Sequence, residues 1–139
     1  MIQLDKLTRK YGSFTAIEDV SFNIAQGEIV GLLGHNGAGK TTIMKTITGL
    51  LEPTSGVVWI DGMDVREKRR DVQAKIGYLS ENCPLYEEMV VIDYLEYTAI
   101  LKSISTSLQR ESIQEVLRKT ELMTKADQPI SSLSRGYCQ

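Results

Sequence analysis

Hydrophobic and polar residues alternate over the first part of the chain, and this pattern changes near residue 28. Ile2 and Leu4 share one face of a first extended segment, and residues 16–24, AIEDVSFNI, alternate less regularly in a second. Since a period of two is typical of a half-buried strand, the two segments predict an antiparallel hairpin. The apolar run EIVGLLG, residues 28–34, predicts a strand buried on both faces. Apolar residues at helical spacing predict a helix after it: Ile43, Met44, Ile47 and Leu51.

The pattern predicts further elements downstream. Residues 57–60, VVWI, predict a strand, and the dipeptide Asp61-Gly62 predicts a hairpin turn into a short return strand. The chain is therefore expected to contain a β-rich and α/β region, residues 1–82, followed by a helical region, residues 83–139. Helices are predicted over residues 65–75, 89–102 and 107–123.

Composition narrows the class of protein. The chain has 139 residues, 42% of them hydrophobic, and a net charge of −2, which favours one soluble domain and gives no sign of nucleic-acid binding. The basic cluster REKRR, residues 66–70, is expected to be a solvated helix start. Cys83 and Cys138 lack metal-ligand spacing, and residues 1–10 lack the apolar run of a signal peptide, so a reduced cytosolic compartment is expected. No stretch approaches the roughly 20 apolar residues that span a bilayer, so any membrane role requires a partner.

The strongest candidate for chemistry is the segment GHNGAGKT, which satisfies the pattern G-x-x-x-x-G-K-[ST] between the predicted buried strand and helix. Its glycines allow backbone N–H groups to face a phosphate, and the helix start adds partial positive charge. We expect Lys40 to contact the β- and γ-phosphates, the Thr41 hydroxyl to bind Mg²⁺, and Thr42 to reach the α-phosphate side. His35 is expected to be a tolerated loop residue and not a catalytic base. The predicted binding residues of this glycine-rich loop are Gly34, His35, Asn36, Gly37, Ala38, Gly39, Lys40, Thr41 and Thr42.

Four segments of the chain, the first of which includes this loop, follow one another in the order LTRKYGSFTAIEDVSFNIAQGEIVGLLGHNGAGKTT, LEPTSGVVWIDGMDV, IGYLSEN and LSRGYCQ. In this content and order the chain resembles the nucleotide-binding subunit of ABC transporters. The resemblance implies an α/β fold of the ABC-type P-loop NTPases, with an antiparallel β subdomain, part of a RecA-like core and a helical subdomain. The C-terminal core strands of that fold are expected to be missing from this chain.

The resemblance also implies roles outside the glycine-rich loop. Tyr11 stands where these ATPases place an aromatic residue that stacks on adenine. Glu81, in IGYLSEN, stands where the family has a glutamine that contacts Mg²⁺ and the attacking water. Glutamate keeps an oxygen ligand but adds a negative charge. Thr41 and Glu81 are therefore the predicted metal contacts.

The segment LSRGYCQ resembles the family's LSGGQ signature. The resemblance implies that Ser134 and the backbone of Gly136 contact the γ-phosphate of ATP held by the opposite subunit. Arg135 replaces a glycine of the family pattern, and Tyr137 replaces its glutamine. Ser134 is expected at or near the start of a helix.

The resemblance implies ATP and Mg²⁺ as cofactors, and a second nucleotide-binding subunit and a transmembrane permease as partners, with no nucleic acid. The expected location is the cytoplasmic face of a membrane, reached through the permease. The family completes hydrolysis with an Asp-Glu pair after an apolar strand and with a later histidine, and neither follows the signature in these 139 residues. We therefore expect the isolated chain to be an incomplete domain that folds poorly and has negligible turnover.

Two alternatives stay open on the sequence. One is a soluble ABC-type ATPase that acts on ribosomes or DNA, and only the cluster REKRR favours it. The other is a truncated product that binds ATP without hydrolysing it, as a regulator.

Overall fold

An antiparallel sheet dominates the first part of the computed structural model, which describes residues 1–81 and 83–139. The sheet contains β1 (Ile2–Tyr11), β2 (Phe14–Ile24), β3 (Ser55–Ile60) and β4 (Met63–Asp64), in the spatial order β2-β1-β3-β4. The described residues form two compact units. We call Met1–Tyr78 the N-terminal unit and Leu79–Gln139 the C-terminal unit.

The predicted N-terminal hairpin is confirmed, but β1 is not regular. β1 and β2 pair antiparallel, with Leu4 opposite Phe22, and the register shifts between Leu4 and Leu7. Lys6, inside that shift, has φ +48°. Side chains three residues apart on a regular strand point to opposite faces, yet Leu4 and Leu7 are both buried. The bulge at Lys6 turns Leu7 onto the buried face, which simple alternation does not predict.

The second predicted hairpin is also confirmed. β3 contains the predicted residues 57–60 and pairs with the short return strand β4, with Ile60 opposite Met63. The connecting pair Asp61-Gly62 has positive φ at both positions, the geometry that matches the twist of two adjacent antiparallel strands.

Two helices share the core of the N-terminal unit. The first, α1 (Lys40–Ile47), is the helix predicted after the glycine-rich loop. The second, α2 (Arg69–Lys75), is shorter than the predicted 65–75. The chain first makes a turn in which the Arg66 N–H donates to Oδ1 of Asp64, 2.8 Å away, and such Asp turns compete with helix formation. The buried core residues are Leu4, Leu7, Ile17, Ile43, Ile47, Val58, Ile60, Val65 and Val72.

The prediction of a buried strand over residues 28–34 is wrong for this structure. These residues form no strand and are exposed, with Ile29 at 100% and Leu33 at 93% relative exposure. A strand buried on both faces needs neighbouring strands to pair its N–H and C=O groups. The strands of the described chain pair with one another, and none of them pairs with this segment. Its apolar side chains therefore have no covering layer here.

The C-terminal unit is helical, as predicted. The predicted helix over 89–102 corresponds to α3 (Val91–Leu101), which is shorter at both ends. The predicted helix over 107–123 corresponds to α4 (Thr106–Lys119), which begins one residue earlier and ends four residues earlier. Two 3-10 turns, Met123–Lys125 and Ile130–Ser132, lead to α5 (Arg135–Cys138). The buried core residues of this unit are Val91, Ala99, Ile113, Leu117, Leu122 and Ile130.

A residue in the left-handed backbone conformation ends α4 before residue 123, the predicted end of this helix. Glu121 has φ +58°, and the Leu122 N–H donates to the carbonyl of Leu117, 2.9 Å away. Such a bond, reaching back over the last turn, satisfies a helix carbonyl that would otherwise lack a partner. Within the described residues, no helix is long and apolar enough to cross a membrane.

Candidate functional site

The glycine-rich loop folds around the side chain of Lys40. Its Nζ atom donates hydrogen bonds to the carbonyl oxygens of Gly34 and His35, each 2.7 Å away. The Ala38 N–H donates to the His35 carbonyl, 3.1 Å away, and closes a turn between them. The positive charge of Lys40 is thus fixed against the loop backbone.

The start of α1 adds backbone N–H donors that have no partner within the described residues. The N–H of Ile43 makes the first bond of the helix, to the carbonyl of Gly39, at 2.9 Å. The preceding N–H groups, on residues 40–42, have no partner one turn earlier in the helix. The first turn also contains no acidic residue that would neutralise the partial positive charge of the helix end. This arrangement favours binding of an anion.

The polar side chains of the loop are accessible. Thr41 is exposed and Thr42 is half-buried, and neither hydroxyl is hydrogen-bonded within the part of the chain that the structure describes. Asn36 and His35 are exposed. No described residue hydrogen-bonds the His35 ring, so nothing orients it as a base.

Gly39 joins the loop to the N-terminal hairpin. Its φ is +88°, and a Cβ atom at this position would overlap Cγ2 of Ile17 and lie 2.7 Å from the carbonyl oxygen of Ala16. Ile17 pairs in the sheet with Arg9 of β1. Arg9 lies two residues before Tyr11. Since a strand advances about 3.3 Å per residue, this close contact places the start of α1 near the end of the hairpin that carries Tyr11.

Tyr11 lies at the end of β1, opposite Phe14 across the hairpin turn. Its side chain is accessible, with 46% relative exposure. A flat, half-exposed aromatic ring on the same unit as the glycine-rich loop has the chemistry to stack on a heterocyclic base. Phe14, at 63% exposure, is a second aromatic residue at this hairpin end that the sequence interpretation did not single out.

Arg9 is a further residue that the sequence interpretation missed. Its guanidinium carbon lies over the Tyr11 ring, 4.6 Å from the ring centroid. Nη1 of Arg9 donates to the carbonyl of Glu52, 2.9 Å away. A signal for the first contact existed in the sequence, because residues two apart on a strand share a face. The contact with Glu52 joins residues 43 positions apart and has no local signal.

Glu81 lies in the C-terminal unit, in a bend, with its side chain exposed. Glu81 and Arg135 line the same cavity, of about 450 Å³, and no ion pair joins these two among the described residues. Asn82, the last residue of the motif IGYLSEN, lies outside the described residues. The residues around this cavity are Glu81, Cys83, Pro84, Arg135, Cys138 and Gln139.

Ser134 precedes α5, as predicted. It is the N-cap residue, and its carbonyl accepts hydrogen bonds from the N–H groups of Tyr137 and Cys138, at 2.9 and 3.1 Å. The Ser134 hydroxyl makes no capping bond, and Ser134 and Gly136 are both exposed. Nζ of Lys125 lies over the Tyr137 ring, 5.2 Å from its centroid, and the tyrosine keeps 41% relative exposure. The serine hydroxyl is therefore available to a group outside this chain.

The basic cluster at residues 66–70 is partly neutralised inside the N-terminal unit. Arg66 pairs with Asp64, with Nη2 and Oδ2 3.5 Å apart. Arg69 pairs with the carboxylate of Glu52. Arginines engaged in this way contribute less positive field to a nucleic-acid backbone, so the structure adds no support for that alternative.

The predicted site residues fall into two groups. Tyr11 and residues 34–42 belong to the N-terminal unit, where the contact of Gly39 with β2 brings them together. Glu81, Ser134 and Gly136 belong to the C-terminal unit.

Comparison with protein families and curated relatives gives consistent matches. Residues 17–139 match the family model described as ABC transporter. The probable multidrug ABC transporter ATP-binding protein YbhF of Escherichia coli K12 is 34% identical over 139 residues, which cover 100% of this chain and 24% of that protein. The ABC transporter ATP-binding protein NatA of Bacillus subtilis is 32% identical, covering 100% of this chain and 58% of that protein. The chain thus spans about a quarter of the first relative's length.

Solved structures also match over nearly the whole chain. An ATP-binding subunit of an ABC transporter superposes with a TM-score of 0.86 at 29% identity, covering 99% of this chain and 57% of that one. A dimeric ATP-binding cassette in a post-hydrolysis state, bound to ADP and Pi, superposes with a TM-score of 0.82 at 27% identity, covering 99% and 65%.

Proposed function

We propose that this chain, which belongs to the ABC transporter family and has part of its P-loop ATPase fold, binds ATP together with Mg²⁺. The observation that carries the proposal is the glycine-rich loop closed around Lys40 at the start of α1. A fixed ammonium group, unpaired N–H donors and an uncompensated helix end all favour a polyphosphate at one place. A solved relative of the same fold is a cassette bound to ADP and Pi.

Three residues of the loop have distinct roles in this proposal. Lys40 neutralises the β- and γ-phosphates, and the N–H groups of residues 40–42 donate to phosphate oxygens. The accessible Thr41 hydroxyl provides an oxygen ligand for Mg²⁺, a cation that prefers oxygen ligands and bridges phosphates. Thr42, half-buried one residue on, reaches the α-phosphate side.

The metal role of Thr41 predicts a magnesium-specific defect. In the full-length protein, wild type should bind ATP more tightly with Mg²⁺ than without it. Thr41→Val should reduce this gain by about tenfold, since one ligand is lost, whereas Thr41→Ser keeps the hydroxyl and should behave as wild type. Calorimetric titration of ATP with Mg²⁺ and with EDTA measures both values.

Two outcomes of this titration would count against the proposal. If wild type showed no ATP binding in either condition, nucleotide binding itself would be refuted. If Thr41→Val weakened binding equally with Mg²⁺ and with EDTA, the hydroxyl would not be a metal ligand.

We further propose that the complete protein acts as a dimer, with Ser134 and Gly136 of one subunit facing the ATP of the other. Both residues are exposed, and the Ser134 hydroxyl is unused within the described chain. A hydroxyl at a helix start is suited to donate to a phosphate oxygen. Among solved structures of this fold, one is a dimeric cassette, which supports the dimer as the working form.

Removal of the Ser134 hydroxyl should weaken the dimer formed with nucleotide. We expect Ser134→Ala in the full-length protein to raise the dimer dissociation constant by about tenfold with a non-hydrolysable ATP analogue, because a hydrogen bond to a charged group is lost. Sedimentation velocity measures the change. Ser131→Ala is a matched control, since Ser131 is exposed and its hydroxyl makes no hydrogen bond within the described residues. An unchanged dissociation constant for Ser134→Ala would contradict this role.

In the complete protein, the same proposal includes ATP hydrolysis that powers transport through a transmembrane permease. Glu81 is proposed to contact Mg²⁺ and the attacking water in that state. The protein is proposed to lie at the cytoplasmic face of the membrane, held there by its permease partner. The names of the relatives, which are ATP-binding proteins of ABC transporters, support this extension.

A further inference from the structure

One face of the Tyr11 ring is already occupied in this structure. The guanidinium carbon of Arg9 lies 4.6 Å from the ring centroid, within the range of a cation–π contact. Tyr11 nevertheless keeps 46% relative exposure. A flat ring with one face covered and the rest accessible offers a single face for stacking.

The guanidinium of Arg9 also makes a hydrogen bond outside the hairpin. Nη1 donates to the carbonyl of Glu52, 2.9 Å away, in the segment that follows α1. The carboxylate of Glu52 is in turn paired with Arg69 of α2. Nε of Arg9 is buried and has no hydrogen-bond partner in the described part of the chain. Burial of a polar group without a partner is unfavourable, so the contacts of the guanidinium with Tyr11 and Glu52 must offset that cost.

Arg9 also connects the Tyr11 ring to the glycine-rich loop. Arg9 pairs in the sheet with Ile17, whose side chain closely contacts the backbone at Gly39, where α1 begins. Its guanidinium contacts Glu52, beyond the end of α1. Arg9 is therefore connected to both ends of the helix that we propose to hold the phosphates.

We propose that Arg9 is a positioning residue for the base of the nucleotide. It covers one face of Tyr11, holds the ring at a constant orientation relative to α1, and leaves the opposite face for a flat heterocyclic base. This inference rests on the proposed ATP binding and deepens it, since it assigns the base to one side of Tyr11 and the orientation of that ring to Arg9.

The test separates base recognition from phosphate binding. Affinities of the full-length protein for Mg–ATP and for Mg–tripolyphosphate, which lacks a base, are measured by calorimetry. Arg9→Met keeps an apolar stem near the ring but removes the charge and the planar donor group. We expect it to weaken ATP binding by about 3- to 10-fold and to leave tripolyphosphate affinity unchanged. Arg9→Lys, which retains a cation, should recover part of the loss.

A double-mutant cycle shows whether Arg9 acts through Tyr11. Tyr11→Ala should also weaken ATP binding selectively, and Arg9→Met should have no further effect in the Tyr11→Ala background. Arg70→Met is the matched control, because the Arg70 side chain is exposed and makes no hydrogen bond or ion pair within the described residues. It should bind both ligands as wild type does.

The outcomes distinguish this inference from the proposed function. Equal losses for ATP and tripolyphosphate in Arg9→Met, additive losses in the double mutant, or no loss at all would each overturn the positioning role while ATP binding stands. If wild type bound tripolyphosphate but showed no preference for ATP, the base site would be refuted. If wild type bound neither ligand, the proposed function and this role would both fall.

Discussion

Replacement of Lys40 by methionine in the full-length protein is expected to weaken Mg–ATP binding by roughly 100-fold. The substitution removes the charge that neutralises the phosphates, and hydrogen bonds to charged groups are worth about 1.5–3 kcal/mol each. It also leaves the carbonyls of Gly34 and His35 without the donor that now holds them 2.7 Å from Nζ. Both effects act on the same loop, so the loss of affinity should be the largest of any single substitution considered. Calorimetric titration with ATP measures it.

Lys45→Met is the control for charge. Lys45 is exposed in the last turn of the same helix, and its side chain makes no hydrogen bond or ion pair within the described residues. Exposed substitutions usually change free energies by less than about 0.5 kcal/mol, so ATP affinity should stay within about twofold of wild type. If Lys40→Met and Lys45→Met bound ATP equally well, the proposed role of the glycine-rich loop would be wrong.

A methyl group at Gly39 is expected to lower the free energy of unfolding strongly as well as ATP affinity. The backbone there has φ +88°, and the added Cβ would overlap Ile17 and approach the carbonyl of Ala16. A non-glycine residue in a rare backbone region costs about 1–3 kcal/mol, and forced overlap in a packed region typically adds about 1–3 kcal/mol. We therefore expect Gly39→Ala to reduce stability by about 2–6 kcal/mol, measured by urea unfolding of the full-length protein.

Gly37→Ala isolates the backbone contribution. Gly37 has a similar φ of +84°, but a Cβ atom there would meet nothing within 4 Å. Only the conformational cost applies, about 1–3 kcal/mol, so Gly37→Ala should be clearly more stable than Gly39→Ala. Equal destabilisation by the two substitutions would show that the contact of Gly39 with β2 is not important for folding.

Local patterns predicted most elements correctly because the forces that form them act between near neighbours. The alternation around Leu4 and the turn at Asp61-Gly62 anticipated the two hairpins, and the spacing of Ile43 and Ile47 anticipated α1. Bounds were less accurate where a local side chain intervened. Asp64 delays the start of α2 with a hydrogen bond to the Arg66 backbone, and periodicity does not detect such a bond.

The apolar run over residues 28–34 shows the limit of this approach. Its composition is that of a buried strand, but a strand forms only where another strand supplies hydrogen-bond partners. No described strand pairs with it, and Ile29 is fully exposed. The hydrophobicity of a segment indicates how much free energy it gains from burial. Whether it forms a strand depends on which other segments are present to pair with it.

The sequence by itself determined the chemical identity of the candidate site. The spacing of the glycines, Lys40 and Thr41 specifies backbone conformations and charges within one short segment, and it could be interpreted without any distant contact. Only the tertiary structure decided that Gly39 packs against Ala16 and that Arg9 lies between Tyr11 and Glu52. These contacts join residues far apart in the chain, and they depend on strand register and helix packing, which short-range patterns do not encode.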